Sequence, residues 1–349
     1  GNTMSDSIRV GLIGYGYASK TFHAPLIAGT PGMALAAVSS SDATKVHADW
    51  PTVPVVSEPK HLFNDPNINL IVIPTPNDTH FPLAKAALEA GKHVVVDKPF
   101  TVTLSQAREL DALAKSLGRL LSVFHNRRWD SDFLTVKALL SEGTLGEITF
   151  FESHFDRFRP QVRNRWREQA GPGSGIWYDL APHLLDQAVN LFGLPVSMTV
   201  DLAQLRPGAQ TTDYFHAILS YPQRRIVLHG TMVAAAESAR YIIHGTRGSY
   251  VKFGLDPQED RLKNGERLPQ EDWGYDMRDG VVTKVEGETL VEETLLTSPG
   301  NYPAYYAAVR DALNGTGENP VPASQAIQIM ELIELGIESA KHRATLCLA

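Results

Sequence analysis

The chain has 349 residues, 43% of them hydrophobic and 20% charged, with a formal net charge of −7. This fits two ordinary globular domains with ample core, and the acidic total disfavours nucleic acid or an anionic membrane as a partner. A single cysteine, Cys347, excludes an internal disulfide and agrees with a reducing compartment.

The opening GNTMSDSIRV lacks the charged, apolar and small-residue regions of a secretory signal, and residues 1–4 read as a tag remnant and start Met. Apolar runs such as INLIVIP are too short to span a bilayer, so a cytoplasmic protein is expected. Residues 8–14 predict a buried strand, 17–29 a helix and 33–39 a second strand. A third strand falls in 68–74, then a helix at about 80–90 and a strand at 93–97. A helix over 105–117, with Ser105 as its N-cap, precedes a strand at 120–124. Strands alternating with helical patterns predict a parallel, doubly wound α/β domain over residues 5–124.

From 125 onward the rhythm changes. A helix at about 130–142 leads into a strand at 148–156, and strands follow at 197–205, 214–221, 224–232 and 239–245 with turn signals between them. That succession predicts a mostly antiparallel sheet and an α+β second domain over 125–349. Residues 254–300, polar and glycine-rich, read as long loops or short strands; 323–342 is the longest amphipathic helix. Aliphatic and aromatic residues dispersed through 200–245 suit a sheet core or a dimer face.

Between the first strand and first helix lies Gly14-Tyr-Gly16-Tyr-Ala-Ser19, a G-x-G-x-x-G pattern with Ser in the third place. Glycines make the tight turn and let a pyrophosphate approach the backbone at the helix start, so Gly14, Gly16, Tyr17 and Ser19 are candidate dinucleotide contacts. At the end of the second strand an NAD enzyme usually carries an acid. Here Ser39 or Ser40 matches that place, and with Lys45 nearby they suit a 2′-phosphate and favour NADP. A two-residue shift would instead put Asp42 there and favour NAD.

Asp97, Lys98 and Pro99 end the strand 93–97, where ligands bind in doubly wound sheets. They read equally as a surface ion pair or as a lysine presented to the ligand crevice by a positioning carboxylate. In GSGIWYDLAPHLLDQ, Asp179 and His183 are four apart, so a helix beginning near Asp179 would project both from one face, with Asp186 roughly continuing it. An imidazole one turn from a carboxylate is a ready acid/base. Together with a nucleotide domain and a strand-end lysine, it points to an enzyme.

In order and spacing, the Gly14/Gly16 loop, the Lys98-Pro99 pair and Asp179-x-x-x-His183 resemble the Gfo/Idh/MocA family of NAD(P)-dependent sugar and polyol oxidoreductases, over essentially the whole chain. GYGYASKTFHAPLI, FHNRRWDSDF and FESHFDRFRP are similar to its NADP-dependent branch near the scyllo-inositol dehydrogenases. The resemblance implies a Rossmann domain followed by a domain with a large, open sheet, often used for dimerisation. It implies NADP, with NAD second, and a sugar or polyol substrate. Thr75, Asn77 and His80 would form a cofactor-side loop, and Asn126 would sit near the nicotinamide. Lys98 would contact both cofactor and reacting hydroxyl; Tyr178, Asp179 and His183 would face the substrate. Asp97 stands where the family commonly has Glu, and Ser19 replaces the third glycine.

The mechanism so implied has His183 moving the hydroxyl proton and Lys98 stabilising the alkoxide, with Asp179 holding His183 or a substrate hydroxyl. No metal is expected, because the histidines are scattered and the cysteine is remote. Arg157, Arg159, Arg163, Arg165 and Arg167 form an arm. It reads either as a partly helical stretch paired with Asp156 and Glu168, or as a cover that brings Trp166 and Arg167 to the cofactor or substrate. The competing class is a dinucleotide-sensing regulator without turnover, which has no reason to keep Lys98, Asp179 and His183 together.

Overall fold

The computed structural model describes residues 7–164, 168–268 and 270–349. The chain divides into two compact units. The first gathers the residues up to Asn126 with 258–273 and 301–327; the second holds 127–257, 274–300 and 328–349. Two later segments thus return to the first unit, which one boundary near residue 124 does not include. No helix among the described residues is long and apolar enough to cross a membrane.

In the first unit, β1 (Ile8–Ile13), β2 (Met33–Ser39), β3 (Val55–Val56), β4 (Leu70–Ile73), β5 (His93–Asp97) and β6 (Leu121–Phe124) make one parallel sheet in the order β3-β2-β1-β4-β5-β6. Val94, Val95 and Val96 are fully buried, as a strand covered on both faces requires. The order reverses between β1 and β4, which opens a crevice at their C-terminal ends. The segment after the glycine loop is a π-helical turn, Ser19–His23, continuing as the α-helix Ala24–Ala28. Helix Leu104–Leu117 is capped by Thr103 rather than Ser105. The Thr103 hydroxyl accepts the Gln106 N–H at 3.2 Å, and the Gln106 side chain accepts the Thr103 N–H, a reciprocal pairing that Ser105 lies too late to make.

In the second unit, β7 (Ile148–Asp156), β8 (Ser197–Ala203), β9 (Tyr214–Tyr221), β10 (Arg224–Thr231), β11 (Tyr241–Gly245), β12 (Gly248–Lys252), β13 (Gly280–Glu286), β14 (Thr289–Leu295) and β15 (Leu346–Cys347) form a sheet in the order β14-β13-β12-β11-β7-β10-β9-β8-β15. Neighbours run antiparallel except β7 and β10. Residues 254–300 therefore hold two seven-residue strands as well as loops.

One face of the sheet packs Phe151, Phe155, Phe215 and Leu228 against the helices Ala181–Phe192 and Ala323–His342. Trp177 is the anchor of this core. Its Nε1 donates to the Ile333 carbonyl at 3.0 Å, and Gly336 admits the indole, since a Cβ there would stand 2.3 Å from the ring.

Candidate functional site

In the first unit the expected residues gather at the C-terminal strand ends. Gly14 leaves β1 with φ +77, a conformation L side chains rarely adopt, and its N–H donates to the Ser39 carbonyl at 2.7 Å. Gly16 is different: a Cβ there would meet nothing within 4 Å. Protein packing does not demand a glycine at 16, so the bare backbone leaves room for a ligand. The loop fits a dinucleotide pyrophosphate on that ground.

Ser19 is buried, with no hydrogen-bond partner for its Oγ among the described residues. The Tyr17 hydroxyl donates to Glu259 at 2.7 Å, and burial together with that carboxylate pushes the phenol pKa up. Ser39 is buried at the end of β2 and Ser40 follows it half-buried. Asp42 caps the helix Ala43–Asp49, its carboxylate accepting the Lys45 N–H at 3.2 Å, and the Lys45 side chain is exposed.

At the end of β5, Asp97 answers the question its neighbours raise. Its Oδ1 accepts the backbone N–H of Lys98 at 2.8 Å, while Oδ2 lies 2.9 Å from His23 Nε2. The His23 Nδ1 in turn lies 2.6 Å from the Tyr306 hydroxyl, on a helix (Pro303–Leu313) of the returning segment. The carboxylate thus fixes the backbone that carries Lys98. Burial pushes the Asp97 pKa up, but the His23 hydrogen bond and the charges of His23, Lys98 and His80 outweigh it and hold it low.

The peptide between Lys98 and Pro99 is cis. His80 is 1% exposed, with Nδ1 2.8 Å from the Pro99 carbonyl and Nε2 2.8 Å from the Thr75 carbonyl. It clamps the loop after β4 to the loop after β5. Burial pushes its pKa down against the pull of Asp97 and both carbonyls. Thr75 and Thr79 share a hydroxyl bond of 2.6 Å, and Asn77 and Asn126 are buried in short 3₁₀ turns.

In the second unit, the continuous helix expected from Asp179 is absent. Asp179 ends one short helix, Ile176–Asp179, and His183 lies in the first turn of the next, Ala181–Phe192, with a break at Leu180 (φ −114, ψ −39). The cause is Pro182. It has no N–H to give the Tyr178 carbonyl, and its ring crowds that oxygen. His183 is 7% exposed, its backbone N–H donating to the Leu180 carbonyl at 3.1 Å, with the Phe155 ring edge-on at 6.2 Å. Tyr178 is half-buried, and burial pushes its phenol pKa up. Asp186 does not serve as an open carboxylate on that face: Arg128 grips it with two hydrogen bonds of 2.8 Å.

Asp179 lines a small cavity with Arg157, Arg206, Glu168 and Thr211. The pairing of arm arginines with Asp156 is not found among the described residues; Asp156 pairs with His154, while Glu168 takes Arg206 at 2.9 Å and the Arg163 N–H at 2.6 Å. The reason is the backbone. Arg157 and Arg159 donate their N–H groups to the Thr231 and Met232 carbonyls, so this part of the arm extends the sheet. Trp166 and Arg167 lie outside the described residues. A larger open groove of about 670 Å³ lies at the far end of the helix Ala181–Phe192, beside Lys137, Phe192 and Arg224, and contains none of the expected residues.

Sequence reasoning missed His23 and Tyr306, whose partners lie 74 and 283 positions away along the chain. It also described the histidines as scattered, whereas His154, His216 and His229 meet on neighbouring strands.

Residues 8–125 match the GFO_IDH_MocA oxidoreductase family, NAD-binding Rossmann fold, and residues 137–348 match its C-terminal alpha/beta domain. The chain is 89% identical to the uncharacterized oxidoreductase YdgJ of Escherichia coli, across 99% of this chain and 100% of that one. It is 38% identical to the NADP⁺-dependent scyllo-inositol 2-dehydrogenase IolW of Bacillus subtilis, across 100% and 98%. An oxidoreductase structure from Yersinia pestis superposes with a TM-score of 0.96 at 70% identity, covering 100% and 99%.

Proposed function

Because the chain belongs to the Gfo/Idh/MocA family of oxidoreductases, we propose that it transfers hydride between NADP(H) and a secondary alcohol or carbonyl of a sugar or polyol, an inositol being the first candidate. The observation that carries this reading is the strand end of β5, where one carboxylate pins the Lys98 backbone while the Gly14–Gly16 loop lies open.

The nicotinamide supplies the hydride acceptor or donor when the dinucleotide is bound. In the first unit, Gly14, Gly16, Tyr17 and Ser19 hold the pyrophosphate side. Ser39, Ser40 and Lys45 receive the 2′-phosphate. Asp42 is spent on its own helix cap, which supports NADP over NAD. Thr75, Asn77, Asn126 and the His80-clamped loop border the nicotinamide, and the Lys98 ammonium stabilises negative charge on the reacting oxygen. In the second unit, His183 takes or returns the hydroxyl proton, and Asp179 and Tyr178 orient substrate hydroxyls. Trp166 and Arg167 are proposed as further contacts from the arm. We also assign a homodimer, or a higher homo-oligomer, formed through the face of the nine-stranded sheet opposite its helices.

The test is a fluorescence titration with NADPH and NADH, followed by NADP⁺ reduction assays on a panel of inositols and aldoses. Tighter NADPH binding with turnover of a polyol supports the reading. Binding of neither dinucleotide removes its foundation.

A further inference from the structure

On the face of the nine-stranded sheet opposite the core, four adjacent strands set metal-binding types of side chain at one level. Register pairs His154 of β7 with His229 of β10, His229 with His216 of β9, and His216 with Asp201 of β8. Glu152 and Asp156 stand two residues to either side of His154 and so share its face.

The contacts within this row leave one atom unsatisfied. The Asp156 side chain is 7% exposed, and its Oδ2 lies 2.8 Å from His154 Nδ1. A hydrogen bond from Ser238 also supports this carboxylate; the buried Oδ1 itself has no hydrogen-bond partner among the described residues and faces His229 Nε2 at 3.9 Å. The other nitrogen of His229, Nδ1, lies 2.9 Å from His216 Nδ1. With the proton on His229 Nδ1, donated to His216, the Nε2 lone pair points toward the unpaired carboxylate oxygen. In that tautomer two lone pairs face one another in a half-buried site, an arrangement that a cation between them would relieve.

We propose that His154, Asp156 and His229 form a divalent metal site that takes zinc, separate from the residues assigned to hydride transfer. One donor atom from each lies within 4.8 Å of the others. Two imidazoles and a carboxylate are a nitrogen–oxygen set that zinc binds at about 2.0–2.2 Å, which for a tetrahedral ion puts donors roughly 3.3 Å apart. Side-chain rotation has to close the present spacing to that value.

The outer ring nitrogens are already supported. His154 Nε2 lies 3.2 Å from Glu152, its Nδ1 would exchange the present 2.8 Å contact with Asp156 Oδ2 for the metal, and His216 orients His229. Ligating histidines in metal sites are held in this way by a partner on the far nitrogen. The ion would bridge β7 and β10, the one parallel pair among the described strands of this sheet.

The test uses the purified full chain, with Cys347→Ser as the background so that the exposed thiol cannot contribute. The chain is loaded with zinc and dialysed, its metal content is measured by mass spectrometry, and affinity is read by competition with a chromophoric chelator. We expect about one zinc per chain and a melting temperature raised by zinc but not by magnesium. Asp156→Asn, which keeps the side-chain shape, and His229→Ala should each weaken zinc by about 100-fold. Glu152→Gln, acting through His154, should cost about tenfold. NADPH affinity should be the same in all variants. No retained zinc, or zinc whose affinity survives Asp156→Asn and His229→Ala, overturns the proposal.

Discussion

Asp97 Oδ2 lies 2.9 Å from His23 Nε2, and this contact ties the end of β5 to the first helical segment. Burial raises the Asp97 pKa and His23 lowers it, and the lowering wins. A carboxyl held below its unfolded value adds stability that is complete above about pH 4 and is lost as pH falls through the folded pKa. Asp97→Asn should therefore cost about 1–3 kcal/mol at pH 7, with the gap from the parent narrowing as pH falls below about 4 and through the folded pKa. Urea unfolding of both proteins at a series of pH values from 7 downward measures it. A gap that does not change with pH would mean the charge is not the source.

Since the same carboxylate fixes the Lys98 backbone, loss of the Lys98 side chain separates charge from framework. Lys98→Met should lower kcat by about 10²–10³-fold, with little change in melting temperature. Steady-state kinetics on the best polyol, beside a melting curve, makes the comparison. A kcat within a few-fold of the parent rules out a charge-stabilising role.

His183→Ala should lower turnover by about 10²–10⁴-fold and leave NADPH affinity nearly unchanged, because a proton-transfer group acts on the substrate and not on the dinucleotide. Near-normal turnover would refute the acid/base assignment.

Arg128 and Asp186 are a structural pair, their side chains 12% and 3% exposed. Asp186→Ala leaves a buried guanidinium without its fork partner and should destabilise by about 3–5 kcal/mol. The double change Arg128→Met with Asp186→Ala should recover part of that loss. Thermal unfolding of the three variants decides it; a double variant no better than the single would place the cost elsewhere.

These pairs mark where sequence reading stops. HVVVD gave β5 to the residue because an uninterrupted β-branched run has few alternatives. Strands were one of two readings for 254–300, but the extent and pairing of β13 and β14 escaped because most of their side chains face solvent, so no apolar alternation betrays them. The helix break at Leu180 was legible in principle, since Pro182 has no N–H for the Tyr178 carbonyl. The Asp97–His23 contact and the His154–His229–His216 row depend on strand order and register, which spacing along the chain does not carry.

Cofactor choice turns on the same limit. Sequence left Ser39/Ser40 and Asp42 competing for the end of β2, and the carboxylate of Asp42 is now accounted for by the Lys45 N–H. If that cap is its whole role, Asp42→Ala should cost about 1 kcal/mol of stability and leave the ratio of NADPH to NADH affinity unchanged. Lys45→Ala should weaken NADPH by about fivefold to tenfold and leave NADH alone, because an exposed ammonium adds a modest charge-assisted contact to the 2′-phosphate. Ser40→Asp should reverse the preference by repelling that phosphate. Paired fluorescence titrations on the three variants read all of this. A collapse of NADH binding in Asp42→Ala would mean that Asp42 leaves its cap to hold the ribose, and that the chain is an NAD enzyme.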